Sequence, residues 1–471
     1  MSLNNIGILG MGVMGSNLAY NLANNGERVS IYTRSIEKLK NIVKNDKSHL
    51  IVSFTSLEDF IFSLKKPRHI LLMLPSGITI DFLIKDLLKF LTIGDVIIDG
   101  GNSFFKDTQI RSQKLLKKGI FFIGVGISGG EEGALNGPAM MIGGDKKVCY
   151  LLEPLFQKIS AKYNKEPCAE YLGTDGAGHY VKMVHNGIEY SDMQLISEVY
   201  FLLKKFLKLD NKKISNLFSE WNQGELKSYL IDITSKILLK KNKKGKYILD
   251  LIEDCAFNKG TGLWASQNAL ELHAPLSLIT ESVFFRYLST LKSQRMLAST
   301  LLTGPINNFI FKKENFLQFI EHIRKALYLG KILSYAQGFS QLKFASKKYQ
   351  WDFQYVKIAK IFRAGCIIQA DLLNKIVKAY TENNKIINLL LTSEFQEIVN
   401  EYQKSLRYIV VTGLKYGIPM PVFSAALSYY DSYRSEKLPA NLIQAQRDYF
   451  GAHTYSRIDK EGIFHTNWVK K

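Results

Sequence analysis

Cysteine is scarce in this chain. The four present, Cys149, Cys168, Cys255 and Cys366, stand too far apart for metal-type pairs or a disulfide framework, which points to a reducing compartment. No apolar run approaches the roughly 18 residues needed to cross a bilayer, so no membrane association is expected. The opening Met1-Ser2-Leu3-Asn4-Asn5 has neither the basic stretch nor the apolar core of a secretory signal, and a cytoplasmic protein is expected. Low-complexity linkers and internal repeats are absent. Acidic residues are outnumbered, 42 against 62 Lys and Arg, which leaves a formal charge of +20. The lysines are scattered, as in Lys40-Asn41-Ile42 and Asn384-Lys385-Ile386, and no basic and aromatic residues interleave in a module. Nucleic acid is therefore a poor partner, and small phosphorylated anions are better ones.

What is present is an ordinary globular composition, 46% hydrophobic over 471 residues, enough for two or three domains. Residues 1–176 alternate short β-branched runs with amphipathic stretches, the pattern of a Rossmann-like α/β domain with a parallel sheet. Strands are expected at Asn5–Leu9, Arg28–Tyr32, Leu50–Phe54, His69–Leu74, Asp95–Ile98 and Ile120–Val125, with helices such as Met14–Asn25 and Ile80–Phe90 between them. From 177 to 433 long helical patterns predict a large all-α domain. Residues 434–471 are rich in aromatics but poor in periodicity, and read as an extended C-terminal tail that must dock on something.

Gly10-Met11-Gly12-Val13-Met14-Gly15 joins the first strand to the first helix, the context a dinucleotide fingerprint requires. Gly10 permits the tight turn, Gly12 lets a pyrophosphate approach backbone, and Gly15 allows close helix packing. The second strand ends in Tyr32-Thr33-Arg34-Ser35, without the carboxylate that would bind a ribose diol. Arg34 can pair with a 2′-phosphate and Thr33 and Ser35 can donate to it, so NADP is the expected cofactor. Asp99-Gly100-Gly101-Asn102-Ser103 follows the fifth strand, on the edge where ligands collect in such folds. Gly126-Ile127-Ser128-Gly129-Gly130-Glu131-Glu132-Gly133 reads as a glycine-rich loop able to cradle a carboxylate.

Lys182-Met183-Val184-His185-Asn186-Gly187-Ile188-Glu189-Tyr190 carries the chemistry. Lys182, His185, Asn186, Glu189 and Tyr190 fall at i, i+3, i+4, i+7 and i+8, one side of a helix. A base and an acid then stand two turns apart, roughly 10 Å, about the span of a sugar acid. A solvated face is the bland alternative. Val181, Val184, Ile188, Met193, Leu195 and Ile196 supply too much apolar surface for it.

These motifs together resemble the decarboxylating 6-phosphogluconate dehydrogenases. The strongest matches are residues 126–133, 182–190, Asn-Lys-Gly-Thr-Gly-Leu-Trp at 258–264 and Arg-Asp-Tyr-Phe-Gly-Ala-His-Thr-Tyr at 447–455. The resemblance implies a homodimer of the pentose phosphate pathway with NADP on the first domain, 6-phosphogluconate between the two domains, and each tail completing its partner's site. It implies that Asn102, Ser128, Gly129, Gly130, Lys182, His185, Asn186 and Glu189 surround the sugar acid's carboxylate and hydroxyls. Tyr190, Lys259, Thr261, Arg286 and, from the other subunit, Arg447 would hold the phosphate, with His453 close by. Val13, Met14, Leu74 and Asn102 would join the cofactor site. Lys182 would be the base that takes the C3 hydroxyl proton, and Glu189 the acid that protonates C1 after CO₂ leaves; no metal is expected. Leu74-Pro75-Ser76-Gly77, where many relatives have Val-Lys-Ala-Gly, departs from the family pattern, as do Thr33, Leu135 and Phe257. None of these removes a proposed catalytic group. The rivals are another β-hydroxy acid dehydrogenase, which would not need the phosphate-type cations or the tail, and a non-catalytic NADP-responsive binding protein, which would not need both Lys182 and Glu189.

Overall fold

The computed structural model describes residues 3–257, 260–305 and 315–469. Ten strands are assigned among them: β1 (Ile6–Leu9), β2 (Val29–Tyr32), β3 (Ile51–Phe54), β4 (His69–Leu72), β5 (Val96–Asp99), β6 (Phe121–Ser128), β7 (Ala139–Gly143), β8 (Lys162–Tyr163), β9 (Glu166–Pro167) and β10 (Ala169–Gly173). Eight form one sheet in the order β10-β7-β6-β5-β4-β1-β2-β3, and β8 and β9 pair separately. From β3 to β6 every pair is parallel. β1 and β5 are buried at every position, as strands covered on both faces must be.

The six strands expected from the sequence are parallel, and the sheet is extended by β7, which runs antiparallel to β6 and pairs in parallel with β10. The reason is chain length. Residues 129–138 are fewer than the dozen or so that a parallel crossover takes, so the chain must fold straight back. β7 and β10 are joined instead by the helix Lys146–Ile159, long enough for a crossover and capped by Asp145, whose Oδ1 accepts from the amides of Lys147 and Val148.

The helix Ala177–Phe201 lies against this end of the sheet and runs on into the helical region. Glycine makes the approach possible. A Cβ at Gly178 would fall 2.4 Å from the Met141 carbonyl oxygen and 2.5 Å from that of Gly124, and a Cβ at Gly126 would fall 2.4 Å from Lys182 Cβ. On its far side the helix meets Phe316–Tyr349, where Gly330 faces Leu195 and Gly338 faces Ile188. Between these two helices Lys331 Nζ donates to both carboxylate oxygens of Asp192, at 2.5 and 2.6 Å, with both residues 1% exposed. Pairing is what makes two such charges tolerable in the core.

The tail is less extended than its sequence suggests. It forms a helix, Ala440–Gly451, and an antiparallel bridge between Tyr455 and Phe464. Asp448 is its centre: its carboxylate accepts from the amides of Thr454 and Thr466, from His465 Nδ1 and from Trp468 Nε1. Leu442, Ile443, Tyr449 and Phe450 of the same helix are exposed. Its apolar side chains therefore find no core within the chain, which is why no helical period was visible. Among the described residues no helix is long and apolar enough to cross a membrane.

Candidate active site

Each glycine of the Gly10–Gly15 turn has a geometric reason to be there. Gly10 has φ +99° and would place a Cβ 2.4 Å from the Met73 carbonyl oxygen, so only glycine fits the turn. A Cβ at Gly15 would fall 2.0 Å from the Gly10 carbonyl oxygen, the close packing of helix on strand end. Gly12 faces open space and is exposed, leaving backbone accessible to a ligand. Val13 and Met14 open the helix Val13–Asn24, where first-turn amides have no intrahelical acceptor and suit a pyrophosphate. At the end of β2, Arg34 is exposed with no ion pair among the described residues. The Ser35 hydroxyl caps the helix Ile36–Asn45 by accepting from Lys38 N and keeps its own proton to donate; Thr33 is half-buried beside it. This set fits a 2′-phosphorylated dinucleotide. Leu74 lies just past β4 and packs on Gly10.

Asn102 is exposed on a turn whose base is buried: Asp99 Oδ1 accepts from Gly101 N at 3.0 Å and its Oδ2 from Ser103 Oγ at 2.6 Å. The segment 126–133, expected as a loop, is mostly regular structure. β6 continues through Ser128 and a helix begins at Gly130, and the turn between them falls on Gly129 and Gly130, with φ +124° and +63°. Gly129 packs against the Gly365 carbonyl.

The polar stripe of Ala177–Phe201 is not a solvated face. Lys182, His185, Asn186 and Tyr190 are all buried, and the Glu189 side chain keeps only 20% exposure. His185 Nε2 lies 3.4 Å from Ser128 Oγ, its Nδ1 lies 3.2 Å from Asn186 Oδ1 and 3.8 Å from Glu189 Oε2, and its ring meets Phe362 edge-on. Of the apolar neighbours, Met193 departs from expectation: it is 39% exposed and lies against Arg286.

Burial governs the electrostatics. It pulls the Lys182 ammonium below the ordinary lysine value, against the opposing charge of Glu189. It pushes the Glu189 carboxyl above the ordinary value, against Lys182 and Arg286. His185 is held well below the usual imidazole value by burial and then by Lys182, and so is neutral. A lysine biased toward its free amine and a carboxyl biased toward its acid form therefore share one helix face.

Beyond Glu189 the site becomes cationic. The Arg286 guanidinium stacks on Tyr190, 3.5 Å from the ring centre, and donates to the Phe257 carbonyl. Thr261 begins the helix Thr261–Glu271 after Gly260, and a Cβ at Gly262 would fall 2.7 Å from the Tyr190 ring. Tyr190, Thr261 and Arg286 are thus brought together; Lys259 lies outside the described residues. Arg447 and His453 are exposed on the tail, where Arg447 bonds Gln444 and His453 packs on Phe450. Sequence reading missed His179, which ties the Asn102 turn to this helix through Asp99; a histidine one turn ahead of Lys182 was the available signal.

Residues 5–173 match the NAD binding domain of 6-phosphogluconate dehydrogenase, and residues 178–468 match the 6-phosphogluconate dehydrogenase C-terminal domain. The decarboxylating 6-phosphogluconate dehydrogenase of Buchnera aphidicola subsp. Schizaphis graminum is 58% identical over 467 residues, 99% of this chain and 98% of the relative. That of Escherichia coli K12 is 56% identical over 470 residues, covering all of both chains. The solved 6-phosphogluconate dehydrogenase of Plasmodium falciparum, studied in apo form and with its cofactor NADP⁺ and its substrate 6-phosphogluconate, superposes with a TM-score of 0.94. It is 41% identical and covers 98% of this chain and 100% of its own.

Proposed function

The chain belongs to the 6-phosphogluconate dehydrogenase family, and from that premise we propose how its cleft converts 6-phosphogluconate to ribulose 5-phosphate and CO₂ with reduction of NADP⁺. It is an NADP-dependent decarboxylating oxidoreductase. The observation that carries the mechanism is the buried pair on Ala177–Phe201: Lys182 biased toward the neutral amine, Glu189 toward the neutral acid. The Gly10–Gly15 turn and Arg34 would hold NADP⁺, which when bound would supply the hydride acceptor. Lys182 takes the C3 hydroxyl proton as C3 is oxidised. The ketone so formed is β to the carboxylate and can take up the electrons released when CO₂ leaves. Lys182, now an ammonium, stabilises the enolate oxygen. Glu189 then protonates C1 of the enediol.

Ser128, Gly129, Gly130, His185, Asn186 and Asn102 serve the carboxylate and hydroxyls in this reading, and Tyr190, Thr261, Arg286 and Lys259 serve the phosphate. Charge-assisted donors are what a phosphate dianion needs, and Arg286, already stacked on Tyr190, is fixed to provide them. Arg447 and His453 reach a partner's phosphate in a homodimer with exchanged tails. Support for the dimer comes from the helix Lys292–Leu301, which buries no residue within one subunit, and from the exposed apolar face of the tail helix. The first domain, 1–176, carries the cofactor, 177–433 the substrate and dimer contacts, and 434–471 the exchanged tail. All four cysteines are free, in keeping with a reducing cytoplasm. A smaller unphosphorylated hydroxy acid is a poorer fit, since it would leave Arg286 without a ligand.

The test is an assay with NADP⁺ and 6-phosphogluconate that follows NADPH and CO₂ together. Lys182→Met is expected to abolish NADPH formation while NADP⁺ binding stays within about twofold. Glu189→Gln is expected to retain oxidation but stall at tautomerisation. Substantial turnover by K182M would remove Lys182 as the base, and unimpaired release of ribulose 5-phosphate by E189Q would remove Glu189 as the acid.

A further inference from the structure

One buried imidazole, unused in the mechanism above, joins the two sides of the cleft. His179 stands one helical turn before Lys182 and is 1% exposed. Its Nε2 lies 3.1 Å from the Asp99 carbonyl oxygen and its Nδ1 lies 2.7 Å from Thr108 Oγ1. A carbonyl can only accept, so Nε2 carries a proton and donates it. Burial, outweighing the nearby Asp99 charge, holds this imidazole below its ordinary value; Nδ1 is therefore bare and accepts from the Thr108 hydroxyl. Asp99 continues the chain of bonds on its other side, where its carboxylate shapes the Gly101–Ser103 turn that presents Asn102.

The slot for this ring is built into the sheet. A Cβ at Gly124 in β6 would fall 2.7 Å from His179 Nδ1 and 2.9 Å from Thr108 Cγ2, so the strand must carry glycine there. Thr108 belongs to the helix Phe105–Leu116, Asp99 to the end of β5 and His179 to the helix of Lys182. Three elements are thus registered by one group that donates on one edge and accepts on the other.

We propose that His179 is a positioning residue that holds the Asn102 turn, on the cofactor side of the cleft, in register with Lys182 on the substrate side. The inference rests on Lys182 being the base. Misplacement by about an ångström between reacting groups costs on the order of 100-fold in rate, whereas binding, spread over many contacts, changes little. His179→Phe fills the slot but makes neither hydrogen bond, and it is expected to lower kcat roughly 10- to 100-fold. KM for both ligands, and NADP⁺ affinity by calorimetry, should stay within about threefold. His179→Gln restores a donor toward Asp99 and should recover most of the loss.

Thr108→Val, a nearly isosteric change that removes only the hydroxyl donor, provides the reading should H179F not fold; a several-fold fall in kcat is expected. K182M is measured alongside. If K182M keeps its turnover, the reading of Lys182 fails and this inference with it. If K182M is inert but folded H179F, or T108V in its place, keeps wild-type kcat, the inference alone is overturned. Equal losses in H179F and H179Q that track only the folded fraction overturn it too, as the mark of a purely structural residue.

Discussion

Glu198 shows what burial does to one carboxyl group. It is 2% exposed, and its oxygens accept from the amides of Val422 and Phe423, at the start of the helix Pro421–Tyr433, and from Gln194. Burial nonetheless dominates and pushes it from 4.5 up to about 8. The native state therefore holds this proton in a range where the unfolded chain releases it. The contribution to stability is full below about pH 4.5, falls as pH rises toward 8 and is flat above. Denaturation of wild type and Glu198→Gln across this range should show wild type gaining on the variant as pH is lowered, by on the order of a few kcal/mol. A difference that does not change with pH would show that Glu198 is not held protonated. The same logic separates what sequence could and could not reveal about single side chains. The spacing of Lys182, His185, Asn186, Glu189 and Tyr190 is local, and helix geometry alone put them on one face. His179 meets Thr108 and Asp99, 71 and 80 positions away, and Glu198 meets the amides of Val422 and Phe423, more than 220 positions away, and no periodicity encodes such pairings.

Between elements, glycines set the distances. Gly126 is not in an unusual backbone conformation; it is needed because Lys182 Cβ comes so near. Gly126→Ala must push the helix Ala177–Phe201 off β6 or distort the strand, at about 1–3 kcal/mol, typical of overpacking. Thermal unfolding should register that cost, and kcat should fall because the displaced helix carries the base. A G126A enzyme with wild-type melting temperature and turnover would show the contact to be soft. The six-strand parallel core and the helices between were legible because alternating strand and helix patterns imply them. β7 and β10 were not, since Ala-Met-Met-Ile-Gly and Ala-Glu-Tyr-Leu-Gly carry few β-branched residues. The 126–133 segment was read as a loop because glycine commonly marks one; here Gly126 serves the fit of helix on strand.

Under the proposed tail exchange, a single subunit would lack Arg447 at its own phosphate end, and its tail helix leaves Leu442, Ile443, Tyr449 and Phe450 exposed. Mixing two inactive variants tests the exchange directly. K182M carries a sound tail and no base, while Arg447→Ala carries a base and a defective tail. Co-refolded or co-expressed, they should form mixed dimers in which one of the two sites has both Lys182 and a partner's Arg447, so that activity returns to about a quarter of wild type at equal ratio. No recovery in verified mixed dimers would place Arg447 in its own subunit's site and rule out the exchange. The tail's helix was not legible in the sequence, since its apolar side chains are turned outward.

Asp448 gives that arrangement a kinetic character. With its carboxylate tying the tail helix to Thr454 and to His465, Thr466 and Trp468, the segment does not have to coil into shape on arrival, so little ordering entropy opposes association. Assembly should then behave as a collision between two finished surfaces, with reactivation after dilution following second-order kinetics and no slow unimolecular phase.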